Sequence, residues 1–297
     1  MAQLGTEGTD PALAGLDRLP TAEVVRAVVA GHDVVVAAVA AAGEDIARLA
    51  DAAAERMDRG GRVIYAGAGS GGRIAQLDAS EWGPTFSLPD GAVVALLAGA
   101  EHPPGSRAEA AAEDDEAEGA EAVTALAPTP GDLVIAVTAS GRTPYALGAL
   151  RAGTAAGALT AAVTSQPGSP AEQEAALAVV VPVGPEAISG STRLKAGTAQ
   201  KLVLNAFSTA VMVRRGRTLG NLMAGFRVAN GKLRDRAIRV CTQATGCTEA
   251  EARDTLRAAG DDLAVAVVAL ARGEDVTTAR RRLAETGGAI RTAIAAP

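Results

Sequence analysis

Apolar residues gather in five short runs, at 63–66, 93–97, 133–137, 159–164 and 178–183, each continuous rather than alternating. That is the pattern of strands covered on both faces of a parallel sheet. Stretches of helical period separate most of them, at 73–81, 107–126 and 144–156. The expected class is α/β, a sheet of five parallel strands between helices. Ahead of the first run, Thr21 can cap a helix reaching Ala30. A longer helix over 33–59 places Val35, Val39, Ile46, Leu49 and Ala53 on one side before Gly60 and Gly61 stop it. These helices have the sheet or a second subunit to pack on. Another long helix is expected over 195–215. Beyond it the pattern changes to short amphipathic helices separated by glycines, with Thr248 and Glu251 spaced as a capping box. The expected division is an N-terminal helical segment over 1–60, a sheet domain over 61–230 and a C-terminal helical bundle over 231–297.

Two of the apolar runs lead into turns that carry chemistry. The first, RVIYAGAGSGGRIAQLDASEW, passes from strand to helix through Gly67, Gly69, Ser70, Gly71 and Gly72. Free N–H groups and the helix dipole at such a turn make an anion site. No Gly-Lys-Ser/Thr follows, which excludes the phosphate loop of nucleotide hydrolases. A dinucleotide fingerprint would need an acidic residue closing the next strand, and 93–97 ends in Ala98-Gly99-Ala100. Standing alone, the glycines read equally well as a tight strand–helix turn. The same helix carries Asp78 and Glu81, about one turn apart. The second turn, VTASGRTPY, adds Thr138, Ser140, Gly141 and Thr143 before Pro144, which suits a first helical turn. Two hydroxyl-and-glycine loops at the ends of parallel strands suit a phosphorylated small molecule.

Composition narrows the choice further. Aromatic residues make up 2% of 297, so the core is built from small aliphatics. The formal net charge is −6, and the arginines at 214, 215 and 217 and at 280–282 read as solvated helix faces, so no nucleic-acid partner is expected. Two cysteines, Cys241 and Cys247, imply a reducing compartment, and two histidines speak against a structural metal site. The first twenty residues lack a basic stretch followed by an apolar core, and the apolar run at 34–42 is far short of the ~20 residues a membrane span needs. A cytoplasmic protein without a membrane partner is expected.

The strings GAGSGGR…LDASE, TASGRTPY and GSTRLKAGTAQKLVLN resemble those of the N-acetylmuramic acid 6-phosphate etherases, phosphosugar lyases built on the sugar isomerase (SIS) fold. The resemblance runs from TEGTDP near the N-terminus to the helical tail. It implies an SIS-type three-layer sandwich and a C-terminal bundle of the ubiquitin-associated (UBA-like) type; the apolar side of the N-terminal helices and the GSTRLK segment lead to the expectation of a homodimer. It also implies a reaction. The lactyl ether at C3 of the sugar phosphate is eliminated and water is added, giving N-acetylglucosamine 6-phosphate and D-lactate. No cofactor or metal is called for.

By the same resemblance Glu81, in LDASE, is the acid that protonates the departing oxygen, and Glu113, in AEDDE, is the base that takes the C2 proton. Read as residues alone, Glu81 is a solvated helix end. Glu113 belongs to a charge run with Glu109, Asp114, Asp115, Glu116 and Glu118 that would ordinarily face water. Asp114 and Asp78 are the alternatives. Phosphate is assigned to the hydroxyls of Ser70, Ser140 and Thr143 and the N–H groups of Gly71, Gly72 and Gly141, with Thr138 after them. Glu186, Ser191, Arg193 and Lys195 are expected near the sugar or across a subunit boundary, though helix capping and surface pairing explain them equally.

Three departures stand out from the family pattern. Gly69-Ser70-Gly71-Gly72 replaces Gly-Thr-Ser-Gly, one hydroxyl fewer, worth roughly 1.5–3 kcal/mol of binding unless Ser70 substitutes. Trp82-Gly83 replaces Cys-Pro beside the acid, and Gly225 stands where an Asp is usual. The rival enzymatic reading is an SIS-fold isomerase, which would move the C2 proton and expel nothing. The non-enzymatic rival is a phosphosugar-sensing regulator, for which this chain is short.

Overall fold

The computed structural model describes residues 5–296, in two compact units. The first comprises the chain to Ala79 together with Gly91–Ser208, and the second Ser80–Asp90 with the chain from Thr209 onward. The first opens with α1 (Thr21–Ala30), α2 (Asp33–Ala41) and α3 (Gly43–Asp58). The helix expected over 33–59 is thus two helices, broken at Ala42 next to Gly43, a poor helix former. The stretch Thr21–Ala41, 21 residues, is long and apolar enough for a membrane span, but the backbone turns at Gly31-His32 and divides it. Val25, Val29, Val34 and Val36 on it are exposed.

The sheet follows: β1 (Val63–Gly67), α4 (Gly69–Phe86), β2 (Val93–Leu97), α5 (Arg107–Ala112), α6 (Glu116–Ala125), β3 (Leu133–Val137), α7 (Pro144–Ala155), β4 (Leu159–Thr164), α8 (Pro170–Glu174), β5 (Leu177–Val180) and α9 (Lys195–Arg214). The five strands are all parallel, in the order β2-β1-β3-β4-β5. Alternate residues of each strand serve opposite faces. Ile64, Ala66 and Val134 pack with Val123 of α6 and Tyr145 and Ala149 of α7. On the other face the Tyr65 ring meets Phe207 of α9 edge-on at 6.4 Å, and the Tyr65 hydroxyl donates to Asp78 of α4. Helices on both faces make the three-layer α/β sandwich that the apolar runs imply, and β2, β3 and β4 have the bounds expected.

Arg62 and Asp132 stand just ahead of β1 and β3. The Arg62 guanidinium and N–H and the Thr129 N–H and hydroxyl all donate to the Asp132 carboxylate, which ties the starts of neighbouring strands.

In the second unit α10 (Gly231–Thr245), α11 (Glu249–Ala258), α12 (Leu263–Arg272), α13 (Val276–Glu285) and α14 (Ile290–Ala295) surround Phe226, Ile238, Leu256, Val267 and Ile290. Thr248 and Glu251 form the expected capping box.

Candidate active site

The strand order reverses between β1 and β3, with β2 on one side and β4 on the other. In open α/β sheets ligands bind beyond the carboxyl ends of the strands at such a point. Gly67 and Val137, the last residues of β1 and β3, are register partners, so the two loops read from the sequence leave the sheet side by side. A Cβ on Gly67 would lie 2.7 Å from the Val137 carbonyl oxygen and 3.0 Å from the Gly72 nitrogen. Only glycine lets α4 start this close to the sheet.

In the first turn of α4, Ser70 is half-buried and Gly71 and Gly72 are buried. The Gly72 N–H already donates to the Ala68 carbonyl, 3.0 Å away. Ser70 and Gly71 precede it, where helical N–H groups have no carbonyl of their own helix to use. In the second loop the Gly141 N–H donates to Thr138 Oγ1 at 3.2 Å. Ser140 Oγ accepts the Arg142 N–H at 3.2 Å, which leaves its own proton free to donate to an anion.

Thr143 is committed elsewhere. Its hydroxyl lies 2.9 Å from that of Thr138 and donates to Glu113 Oε1 at 3.3 Å. Glu113 reaches this position because the helix expected over 107–126 breaks. α5 ends at Ala112 and Asp115 caps α6, so Glu113 falls between them instead of on a solvated face. Its carbonyl accepts the Tyr145 N–H at 3.2 Å, which fastens it to the first turn of α7. Its Oε2 is 3.9 Å from where a Cβ on Gly69 would sit, next to the first loop. Burial pushes the Glu113 carboxyl above its ordinary range, the Thr143 hydroxyl pulls it back, and the Asp114 charge adds to the rise. Asp114 itself is exposed.

Glu81 lies farther along α4 and is exposed. Adjacent helical residues point about 100° apart, so Trp82 turns into the core, 2% exposed, while Glu81 faces outward. Asp78 is buried and accepts hydroxyl protons from Tyr65 at 2.8 Å and Ser208 at 3.0 Å, which fixes α4 against β1 and α9.

Glu186 is 1% exposed, and its two oxygens accept the N–H groups of Lys195 and Ala196, each at 2.9 Å. It caps α9. Ser191 and Lys195 flank that helix start, both half-buried. Just upstream, the Ser189 hydroxyl donates to the carbonyls of Glu7 and Gly8, so the N-terminal TEG segment packs beside this loop. Asp10 accepts the Ala12 N–H and caps a short turn.

Sequence reasoning passed over Arg73 and Glu109. Glu109 looks like part of the solvated charge run, yet it is buried and pairs with Arg73 of α4 and the Gly105 N–H, and the arginine holds its carboxyl below the ordinary range. The pair joins α4 to α5, the helix that leads into Glu113. Its only signal in the sequence is that Glu109 precedes Glu113 by one helical turn.

Residues 45–154 match the N-terminal SIS domain of glucokinase regulatory protein, and residues 115–210 match the SIS domain. A Cutibacterium acnes protein named N-acetylmuramic acid 6-phosphate etherase is 45% identical over 97% of this chain and 95% of its own length. A Rubrobacter xylanophilus protein of the same name is 46% identical over 99% and 97%. This chain belongs to the N-acetylmuramic acid 6-phosphate etherase family. Its likeness to a solved phosphoheptose isomerase from Francisella tularensis, at 19% identity with a TM-score of 0.50, covers 65% of the etherase-family chain and 98% of the isomerase, and concerns the fold alone.

Proposed function

We propose that this protein is a carbon–oxygen lyase that releases D-lactate from N-acetylmuramic acid 6-phosphate. The observation that carries this reading is the placement of Glu113. A half-buried carboxylate of raised proton affinity stands between two anion-suited loops at the sheet's switch point. Ring opening exposes the C1 aldehyde and acidifies the C2 proton. Glu113, held by Thr143, takes that proton; a base whose pKa moves toward the working pH is the better matched. Glu81 protonates the oxygen leaving C3 as D-lactate, and water adds to the unsaturated aldehyde. Ser70, Gly71 and Ser140 seat the phosphate. Gly72 and Gly141 shape the loops, and Glu186, Ser191 and Lys195 set the start of α9 beside the sugar.

Two copies of the chain pair through α1 and α2, which leave Val25, Val29, Val34 and Val36 exposed. The setting is the cytoplasm, in recycling of cell-wall sugars, and the C-terminal helices are structural.

The deciding measurement is free D-lactate from the purified protein and the sugar phosphate. Release is expected, with the unphosphorylated sugar a very poor substrate. An isomerised sugar phosphate without lactate overturns the reading. Deuterium exchange at C2 then separates the two glutamates. Glu113→Ala should lose both exchange and lactate release, while Glu81→Ala should lose release and keep some exchange. The reverse pattern would interchange their roles.

A further inference from the structure

Gln200 sits in the most specific string of the sequence, GSTRLKAGTAQKLVLN, and none of the roles above uses it. It lies on α9, about a turn and a half beyond the helix start that Glu186 caps. Its neighbours on the buried side of that helix, Ala199, Val203, Leu204 and Phe207, are apolar. Gln200 itself is 2% exposed, and its Nε2 has no hydrogen-bond partner among the described residues. Burying a donor this way costs about 1–3 kcal/mol, which a leucine at the same place would avoid.

The carboxamide has a definite neighbour. Its Nε2 and Oε1 both lie 3.4 Å from where a Cβ on Gly71 would sit, and that same position is 2.8 Å from the Val137 carbonyl oxygen. Gln200 therefore stands against the first turn of α4 where β1 and β3 part, at the seat proposed for the phosphate. We infer that Gln200 Nε2 donates a hydrogen bond to a phosphoryl oxygen of the substrate bound at Gly71. The inference rests on the phosphosugar reading above. It adds a neutral donor from α9 to the donors of the two loops, and in part makes up for the hydroxyl that the Gly69–Gly72 loop lacks.

Gln200→Leu tests it. The change keeps the bulk and removes an unpaired buried donor, so the melting temperature should hold or rise. Inorganic phosphate, titrated by calorimetry, should bind at least about ten-fold more weakly, the lower end for a bond to a charged group. KM for N-acetylmuramic acid 6-phosphate should rise by a similar factor, with a smaller fall in kcat. Gln200→Glu sets a carboxylate against the dianion and should weaken phosphate binding further. Phosphate binding unchanged in both variants overturns the inference, as does a parent protein that binds no phosphate. A lowered melting temperature in Gln200→Leu with parent-like phosphate affinity would make the amide structural. Because phosphate titration needs no turnover, a parent that releases no lactate defeats the proposed reaction while leaving this test decisive.

Discussion

Thr143 shows how one hydroxyl can serve a role its motif does not announce. In TASGRTPY it reads as a phosphate ligand, but the fold aims its proton at Glu113. Removing that proton removes the one contact that lowers the Glu113 pKa, so Thr143→Val should push the carboxyl further up. The base works ionised, so the acid limb of kcat/KM should move to higher pH, with the loss greatest on the acid side of the profile. A limb that stays in place would detach Thr143 from the base. Glu113 is the opposite case: its residue type was legible and its environment was not. A charge run predicts solvent, and only the break between α5 and α6, with the Tyr145 N–H on the Glu113 carbonyl, takes this member of the run out of it.

Among elements, β1 and β3 are aligned from their first residues by Arg62 and Asp132. Burial alone would raise the Asp132 pKa, but the bonds from Arg62 and Thr129 outweigh it and carry it from 3.8 down to about 2. A depressed carboxyl stabilises the fold above its unfolded pKa of about 4, and that stability is lost as pH falls toward 2. Asp132→Asn should therefore cost about 2 kcal/mol at neutral pH, and the gap from the parent should close in acid, both read by urea unfolding across pH. A gap independent of pH would assign the loss to packing. The strands were legible because continuous apolar runs admit few other environments. The break of α2 from α3, and of α5 from α6, depended on single residues, Gly43 and Asp115, whose effect on a helix is local and easily overridden by packing.

At the scale of the whole molecule, the exposed valines of α1 and α2 predict a dimer by light scattering at micromolar concentration, and Val25→Glu with Val29→Glu should shift it to monomer. A dimer that survives both changes would place the interface elsewhere. The amino-acid sequence by itself determined the α/β class, the strand positions, the two anion-suited loops and the family, because those depend on local periodicity and on contiguous strings. Tertiary structure alone decided which groups meet. Parallel pairing of β1 with β3 set Gly67 beside Val137, and helix packing closed the distance from Thr143 to Glu113, buried Glu109 against Arg73, and brought Gln200 to Gly71 from 129 residues away. Contacts between residues so far apart follow from sheet order and helix packing, which no local pattern records.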